Sequence, residues 1–202
     1  MSTSIVPTVT AREQSEYRSQ MDRLSGFASR IHIDVADGIF TPVKLMAIED
    51  VWWPGGMRAD LHVMYQKPLA HYKTFLSLAP QLVIVHAEAD GQFIPFAELM
   101  HRHGIEVGIA IKQETSVDFI RVALEWIDHV LVFSGNLGHF GGEADLSLLS
   151  KVSTLRSLKP QLEISWDGGI NAGNARQLAN GGIDVLNVGG YIQRAVDPQM
   201  AY

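Results

Sequence analysis

The chain has 202 residues, of which 47% are hydrophobic and 19% charged, and its formal net charge is −6 at pH 7. This composition predicts one globular domain over residues 1–202, and the acidic balance argues against nucleic acid or an anionic membrane as a main partner. Cysteine is absent, which excludes disulfides and thiol chemistry. The N-terminus lacks a signal-peptide pattern and no apolar run approaches ~20 residues, so we expect a cytoplasmic protein.

Short apolar, β-branched runs alternate with amphipathic stretches along the chain. The predicted strands are residues 5–9, 30–34, 57–64, 82–86, 106–111, 130–133, a run that ends at 167, and 185–188. The predicted helices are residues 13–28, a short and poorly defined one between 38 and 53, then 68–78, 93–103, 117–126, 146–158 and 172–180. After the last strand only residues 189–202 remain, so we expect the eighth outer helix to be short or truncated.

This alternation predicts an α/β fold, a (β/α)8 TIM barrel. Runs such as 82–85 and 130–133 are apolar at successive positions, which is typical of parallel strands that are buried on both faces. The competing fold is an open doubly wound sheet. It would carry a Gly-x-Gly-x-x-Gly turn after the first strand, and this chain has none there.

Two imidazoles and two carboxylates lie at the C-terminal ends of three predicted strands: His32 and Asp34, then His62, then Asp167. His32 and Asp34 are two residues apart on a strand and point to the same face, and active sites of such barrels lie at this end. Imidazole favours zinc, iron or cobalt, and carboxylate tolerates manganese. The pattern therefore predicts one divalent metal site whose carboxylates are also candidate proton carriers.

Glycine-rich loops follow the last three predicted strands at the same end of the barrel. They contain Gly138, Gly141 and Gly142, then Gly168 and Gly169, then Gly189 and Gly190. Any one of them alone is explained as a tight turn. Loops after strands seven and eight are nevertheless a recurrent phosphate site, because glycine lets backbone N–H groups approach an anion. Beside the histidine–aspartate cluster, the three loops predict a phosphate held by backbone groups rather than by a basic patch.

Other polar residues near the predicted mouth are interpreted as structural. Asp37, before Gly38, is typical of a turn, and His86 at the end of the fourth strand has no assigned chemistry. His139 is expected to be an exposed loop side chain and Lys112 a surface ion-pair partner.

Five motifs follow one another in a specific order. They are His32-Ile-Asp34-Val-Ala-Asp37-Gly38-Ile-Phe40-Thr-Pro42, Asp60-Leu-His62-Val-Met64, Gly108-Ile-Ala-Ile-Lys112, the loop 138–142, and Asp167-Gly168-Gly169. Each fragment alone is weak. The ordered set resembles the ribulose-phosphate 3-epimerase family from near Pro7 and Thr8 to Gly190, which is nearly the whole chain.

The resemblance implies a (β/α)8 barrel of carbohydrate metabolism, in the pentose phosphate pathway, that interconverts D-ribulose 5-phosphate and D-xylulose 5-phosphate. It implies one divalent metal (Zn, Fe, Mn or Co) held by His32, Asp34, His62 and Asp167, with Asp34 and Asp167 as the acid–base pair. The residues expected to contact substrate or its phosphate are Thr8, Met64, Gly138, Gly141, Gly142, Gly168, Gly169, Gly189 and Gly190. The expected partners are a small phosphorylated ketose and further copies of the chain in a homo-oligomer.

The chain departs from the family pattern around the substrate. Ala36 and Phe133 stand where family members usually have methionines of an apolar cap. The loop at 134–142 has an extra residue and lacks a carboxylate and a proline, and Gly189-Gly190 replaces a Gly-Ser type pair.

These departures leave three alternatives open. The first is an epimerase of a related ketose such as a hexulose 6-phosphate. The second is a phosphosugar decarboxylase or synthase of the same superfamily, although the lysine of its Asp-x-Lys-x-x-Asp pattern is Val35 here. The third is a non-catalytic paralogue that binds a phosphometabolite.

Overall fold

The computed structural model describes residues 3–139 and 141–202. In this part of the chain, eight parallel strands pair in sequence order and close into a barrel. The strands are β1 (Ser4–Thr10), β2 (Arg30–Ala36), β3 (Arg58–Met64), β4 (Leu82–His86), β5 (Glu106–Ile111), β6 (His129–Phe133), β7 (Glu163–Asp167) and β8 (Val185–Val188). The barrel closes where β8 pairs with β1, from Ser4 opposite Val185 to Pro7 opposite Val188. The predicted (β/α)8 barrel is confirmed, and the open sheet is excluded.

Helical segments alternate with these strands. The α-helices are α1 (Gln14–Leu24), α2 (Tyr72–Leu78), α3 (Phe93–Arg102), α4 (Leu149–Leu158), α5 (Ala175–Asn180), α6 (Gly190–Gln193) and α7 (Pro198–Ala201). Further 3-10 segments are Ile48–Asp50, Pro68–His71, Val117–Trp126 and Leu146–Leu148. The expectation of a short eighth helix is confirmed, since β8 is followed by two helices of four residues each. Among the described residues, no helix combines the length and the hydropathy needed to cross a bilayer.

Two helices are shorter than the sequence predicts. α1 ends at Leu24 instead of 28, ahead of Gly26, which is a poor helix former. α5 begins at Ala175 instead of 172, because asparagine side chains cap the preceding turn. Asn171 Oδ1 accepts a hydrogen bond from the Gly173 N–H at 2.8 Å, and Asn174 Oδ1 accepts one from the Asn171 N–H at 2.9 Å.

The segment Val117–Trp126 is a 3-10 helix rather than the α-helix that the sequence predicts. Its buried residues include Val117, Ile120 and Ala123, spaced three apart. Residues three apart eclipse one another in a 3-10 helix, so this geometry keeps all three side chains in one buried row.

The outward faces of the strands explain how the polar side chains reach the barrel interior. On β2, Ile31, Ile33 and Val35 are 0% exposed and belong to the main hydrophobic core. Fully burying such a side chain stabilises the fold by about 1.5–3 kcal/mol. Since side chains alternate along a strand, this burial directs His32 and Asp34 to the inside.

A partly buried ionic network lies at the N-terminal ends of the strands. The Arg30 guanidinium donates to Asp60 Oδ2 at 2.7 Å and to both carboxylate oxygens of Glu163 at 2.8 and 2.9 Å. His129 Nδ1 lies 2.8 Å from Glu163 Oε2, and His129 Nε2 lies 2.7 Å from Ser165 Oγ. This network occupies the end of the barrel opposite the predicted site.

Candidate active site

The four side chains singled out in the sequence converge at the C-terminal mouth of the barrel. One ligand atom from each of His32, Asp34, His62 and Asp167 lies within 4.8 Å of the others. His62 Nδ1 is 2.9 Å from Asp34 Oδ1, and His32 Nε2 is 3.4 Å from the same oxygen. Asp167 Oδ2 lies 3.9 Å from each of these two ring nitrogens. The structure thus brings the predicted metal ligands to one point.

Strand register explains this convergence. Asp34 on β2 stands directly opposite His62 on β3 and also opposite Thr10 on β1. Asp167 is the last residue of β7 and approaches from the other side, with β8 and β1 between it and β2. The two carboxylates therefore enter the mouth from different parts of the barrel wall.

The chemistry of this cluster fits a divalent metal. Two imidazole nitrogens and two carboxylate oxygens form a donor set typical of zinc, iron, manganese or cobalt. The His32 ring is fully buried, and neither of its nitrogens has a hydrogen-bond partner among the described residues. Because an unpaired buried polar atom costs free energy, these nitrogens indicate that a further group, such as a metal ion, completes the cluster.

The two carboxylates differ in their electrostatic surroundings. Burial disfavours the charge on Asp34, but the imidazoles of His32 and His62 outweigh this effect and hold the pKa of Asp34 well below its usual range. Thr10 Oγ1 also donates a hydrogen bond to Asp34 Oδ2 at 2.6 Å. For Asp167, burial and the nearby charge of Asp34 raise the pKa to about 7. Two carboxyl groups with opposite pKa shifts are the usual basis for acid and base roles in one site.

A chain of hydrogen bonds leads away from the cluster through His86, a residue that the sequence analysis interpreted as structural. His62 Nε2 lies 2.9 Å from His86 Nε2, and His86 Nδ1 lies 3.3 Å from Glu88 Oε2. Glu88 Oε1 in turn accepts hydrogen bonds from the Thr115 hydroxyl and from the Lys112 backbone N–H. This chain holds the orientation of the His62 ring. In the sequence, the only indication of this role was the motif His86-Ala-Glu88, in which a carboxylate follows a histidine at the end of a strand.

Three other interpretations from the sequence are confirmed. The Asp37 carboxylate accepts backbone hydrogen bonds from 39, 40 and 66, so it is a turn residue. His139 is exposed. Lys112 Nζ lies 3.5 Å from Glu114 Oε1, as expected of a surface ion pair.

A pocket opens directly above the cluster and contains the predicted glycine-rich loops. Its lining residues include Thr10, Asp34, Met64, Phe133, Gly135, Gly138, Gly141, Gly142, Asp167, Gly168, Gly169, Asn171, Asn187, Gly189, Gly190, Tyr191 and Arg194. Phe140, in the loop after β6, lies outside the described residues. Thr8 does not line this pocket. It is buried in register with His32, and Thr10 lines the pocket instead.

Two of the glycines are required by close backbone contacts. A Cβ on Gly168 would lie 2.3 Å from the Gly135 nitrogen, and one on Gly169 would lie 2.2 Å from the Ala144 nitrogen. Both glycines also have positive φ, of 109° and 71°. The loops after β6 and β7 can therefore pack against each other only with glycine at these positions.

Asn187 and Arg194 are two of the polar pocket residues that no sequence pattern assigned to the site; the others include Thr10, Asn171 and Tyr191. Asn187 interrupts the apolar strand β8, and this polar residue in an apolar strand was a usable signal. Arg194 follows α6, and no local pattern pointed to it. Its guanidinium lies across Gly190, where a Cβ would be 2.5 Å from an Arg194 NH atom, so the lack of a side chain at 190 makes room for this cation.

The chain is similar to known proteins both in sequence and in fold. The sequence model of a protein family described as "Ribulose-phosphate 3 epimerase family" matches residues 4–193 of this chain. The chain is 29% identical to a ribulose-phosphate 3-epimerase of Helicobacter pylori, over 98% of this chain and 94% of that protein. It is 27% identical to one of Bacillus subtilis, over 98% and 95%. Among solved structures, 3-hexulose-6-phosphate synthase from Salmonella typhimurium superposes with a TM-score of 0.68 at 16% identity, over 98% and 93% of the two chains. This last likeness concerns the fold alone.

Proposed function

Since the chain belongs to the ribulose-phosphate 3-epimerase family, a family of isomerases that act on carbohydrate phosphates, we propose that it interconverts D-ribulose 5-phosphate and D-xylulose 5-phosphate with one divalent metal. The observation that carries this proposal is the convergence of two imidazoles and two carboxylates beneath a pocket lined by glycine-rich loops. A single domain, a cytoplasmic location and a homo-oligomer, as expected from the sequence, stay predictions.

The two carboxylates supply the proton chemistry. Epimerisation at a carbon next to a ketone breaks a C–H bond, leaves the electron pair in an enediolate, and forms a new C–H bond on the opposite face. Asp34 and Asp167 approach from different parts of the wall, so one accepts the proton while the other donates one, and the roles exchange in the reverse reaction. A divalent ion held by the four ligands would polarise the ketone and stabilise the negative charge that develops on oxygen.

Apolar side chains shield the reacting carbon. Met64 lines the pocket, and Phe133 stands where the family usually has a methionine. The Phe133 ring centroid lies 5.9 Å from that of His62, so this ring packs against one of the four clustered side chains. Exclusion of water by such side chains protects an enediolate from unwanted protonation.

The phosphate end of the substrate fits the opposite part of the pocket. Gly141, Gly142, Gly169, Gly189 and Gly190 line it, and backbone N–H groups in such loops can approach an anion closely. Arg194 adds a positive charge to this end. The glycine-rich loops predict a phosphate held by backbone groups, and Arg194 adds a side-chain cation to them.

The closest alternative is an epimerase of a hexulose 6-phosphate. It is favoured by the altered pocket, in which Phe133 replaces a sulfur-containing side chain and the loop after β6 differs from the family pattern. The decarboxylase or synthase alternative is weaker, because Val35 points outward into the core and no lysine stands in its place.

The decisive experiment combines metal analysis with proton exchange. Purified protein is analysed for bound divalent metal, and pentulose 5-phosphates and hexulose 6-phosphates are then incubated with it in deuterated solvent. We expect one metal per chain, and deuterium at carbon 3 of the pentulose together with its epimer. Exchange confined to the hexulose would establish the alternative substrate, and a metal-loaded protein that exchanges no substrate would support a non-catalytic binding protein.

A further inference from the structure

Asn187 is the most unusual polar residue of the pocket, because it is buried without partners. Its side chain is 2% exposed, and neither Oδ1 nor Nδ2 has a hydrogen-bond partner among the described residues. It nevertheless lines the pocket above the cluster. A buried amide whose donor and acceptor are both unpaired costs free energy unless a bound molecule satisfies it.

The register of β8 determines where this amide points. Leu186 and Val188 belong to the hydrophobic core outside the barrel, so the alternation of the strand turns Asn187 inward. Asn187 stands directly opposite Asp167 on β7 and opposite Val6 on β1. Of these two residues in register with Asn187, only Asp167 has a polar side chain.

The order of residues along the chain indicates which part of a substrate lies there. Asp167 serves the reacting carbon, and Gly189, Gly190 and Arg194 line the phosphate end. Asn187 is in register with Asp167 on the neighbouring strand and precedes Gly189 by two residues, so it adjoins both positions. In a ketose 5-phosphate that reacts at carbon 3, the group between the reacting carbon and the phosphate is the hydroxyl on carbon 4.

We infer that Asn187 binds the carbon-4 hydroxyl of the substrate and makes the enzyme selective for it. A hydroxyl donates one hydrogen bond and accepts others, and a carboxamide offers both an N–H donor and a carbonyl acceptor in return. A phosphate dianion would leave the amide oxygen unpaired, since the dianion only accepts hydrogen bonds. This inference rests on the proposed function, because that function sets the position of the reacting carbon.

The test is a chemical double-mutant cycle. Asn187→Leu keeps the side-chain size and removes both hydrogen-bonding atoms, and Asn187→Ala is a second variant in case leucine disturbs the barrel. Binding of two non-reacting probes, D-ribitol 5-phosphate and its 4-deoxy analogue, is measured by calorimetry for the wild type and the variants. The exposed Asn180, on α5 and outside the pocket lining, is changed to leucine as the matched control.

For the wild type and for Asn180→Leu, we expect the 4-deoxy probe to bind about 10- to 100-fold more weakly than D-ribitol 5-phosphate. This is the usual cost of leaving a buried hydrogen-bonding group unpaired. In the Asn187 variants the two probes should bind within about twofold of each other, because the partner is gone. The metal content should not change.

Equal dependence on the 4-hydroxyl in the wild type and the Asn187 variants would overturn the inference, and would show that the amide only holds a structural water. Failure of the proposed function would look different. The wild type would then bind both probes yet exchange no proton at carbon 3 of a pentulose 5-phosphate.

Discussion

At the scale of single residues, the site depends on carboxyl groups that look alike in the sequence but occupy different surroundings. Asp34 is surrounded by two imidazoles and the Thr10 hydroxyl, which stabilise its charge. Asp167 is buried and lies near the negative charge of Asp34, and both effects favour its neutral form. Their roles in proton transfer can therefore be tested one residue at a time.

Changing either aspartate to asparagine nearly preserves its shape but removes a proton carrier and an anionic ligand. We expect Asp34→Asn and Asp167→Asn each to lose at least ~10²–10⁴-fold in epimerisation rate, the usual loss for one general acid–base group. A variant that keeps its metal should still exchange the substrate proton from one face in deuterated solvent without epimerising. Epimerisation at near the wild-type rate in either variant would rule out the acid–base pair.

Arg194 permits a second test at this scale. Arg194→Met removes the charge and keeps much of the length, so we expect KM for the ketose phosphate to rise about 10-fold or more while kcat changes little, since charge-assisted contacts are worth about 1.5–3 kcal/mol. Arg194→Lys should recover part of the loss. Competition by inorganic phosphate should weaken in parallel. An unchanged KM in Arg194→Met would show that backbone groups alone hold the phosphate.

At the scale of elements, hydrogen bonds between the ends of neighbouring strands orient a side chain of the proposed metal site. His62 lies near the C-terminal end of β3, and its ring presents Nδ1 to the cluster. If a metal ion binds Nδ1, the ring proton lies on Nε2, which then donates to His86 Nε2 on β4, and His86 Nδ1 donates to Glu88 in the following loop.

This arrangement predicts that His86 and Glu88 control metal affinity without touching the metal. Loss of such an outer partner typically costs about 10–100-fold in affinity. We expect that loss in His86→Phe and a smaller one in Glu88→Gln, measured by competition with a chelator. The exposed Glu98 on α3 supplies the control, Glu98→Gln, which should bind metal like the wild type. Unchanged affinity in both His86 and Glu88 variants would contradict the orienting role.

At the scale of the whole molecule, the barrel separates stability from function at its two ends. The mouth holds the cluster and the pocket, while the network of Arg30, Asp60, Glu163 and His129 fills the opposite end. In barrels of this type the N-terminal face contributes to stability rather than to catalysis. Substitutions in this network should therefore change the free energy of unfolding more than the rate of the reaction.

The charge of Glu163 makes part of this stability dependent on pH. Burial opposes its ionisation, but Arg30 and His129 outweigh burial and hold the pKa of Glu163 well below its usual range. A folded-state pKa below the unfolded value adds stability that is fully present above about pH 4.5 and is lost as the pH falls toward the folded value. The free energy of unfolding of Glu163→Gln should thus be lower than that of the wild type at pH 7, and the gap should narrow on acidification below about pH 4.5.

Urea unfolding at pH 7 and at about pH 3.5 measures this gap. Glu125→Gln, at an exposed position, serves as the control and should follow the wild type at both pH values. If the difference in the free energy of unfolding between Glu163→Gln and the wild type does not depend on pH, the Glu163 carboxylate does not stabilise the fold through its charge.

The sequence by itself determined the barrel and the four clustered side chains, because both follow from local patterns. Buried parallel strands read as apolar runs, and residues two apart on a strand share a face, so spacing alone assigns His32 and Asp34 to one face of β2. Glycine pairs after β6, β7 and β8 likewise predicted which loops line the pocket at the C-terminal end of the barrel.

Only the tertiary structure decided which groups surround that cluster. Arg194 reaches the pocket because a four-residue helix turns it over Gly190, and Asn187 faces Asp167 because β8 pairs with both β7 and β1. His86 becomes a partner of His62 only when β3 and β4 lie side by side. These contacts join residues far apart in the chain, and no local pattern encodes which of them meet, at what distance, or how deeply they are buried.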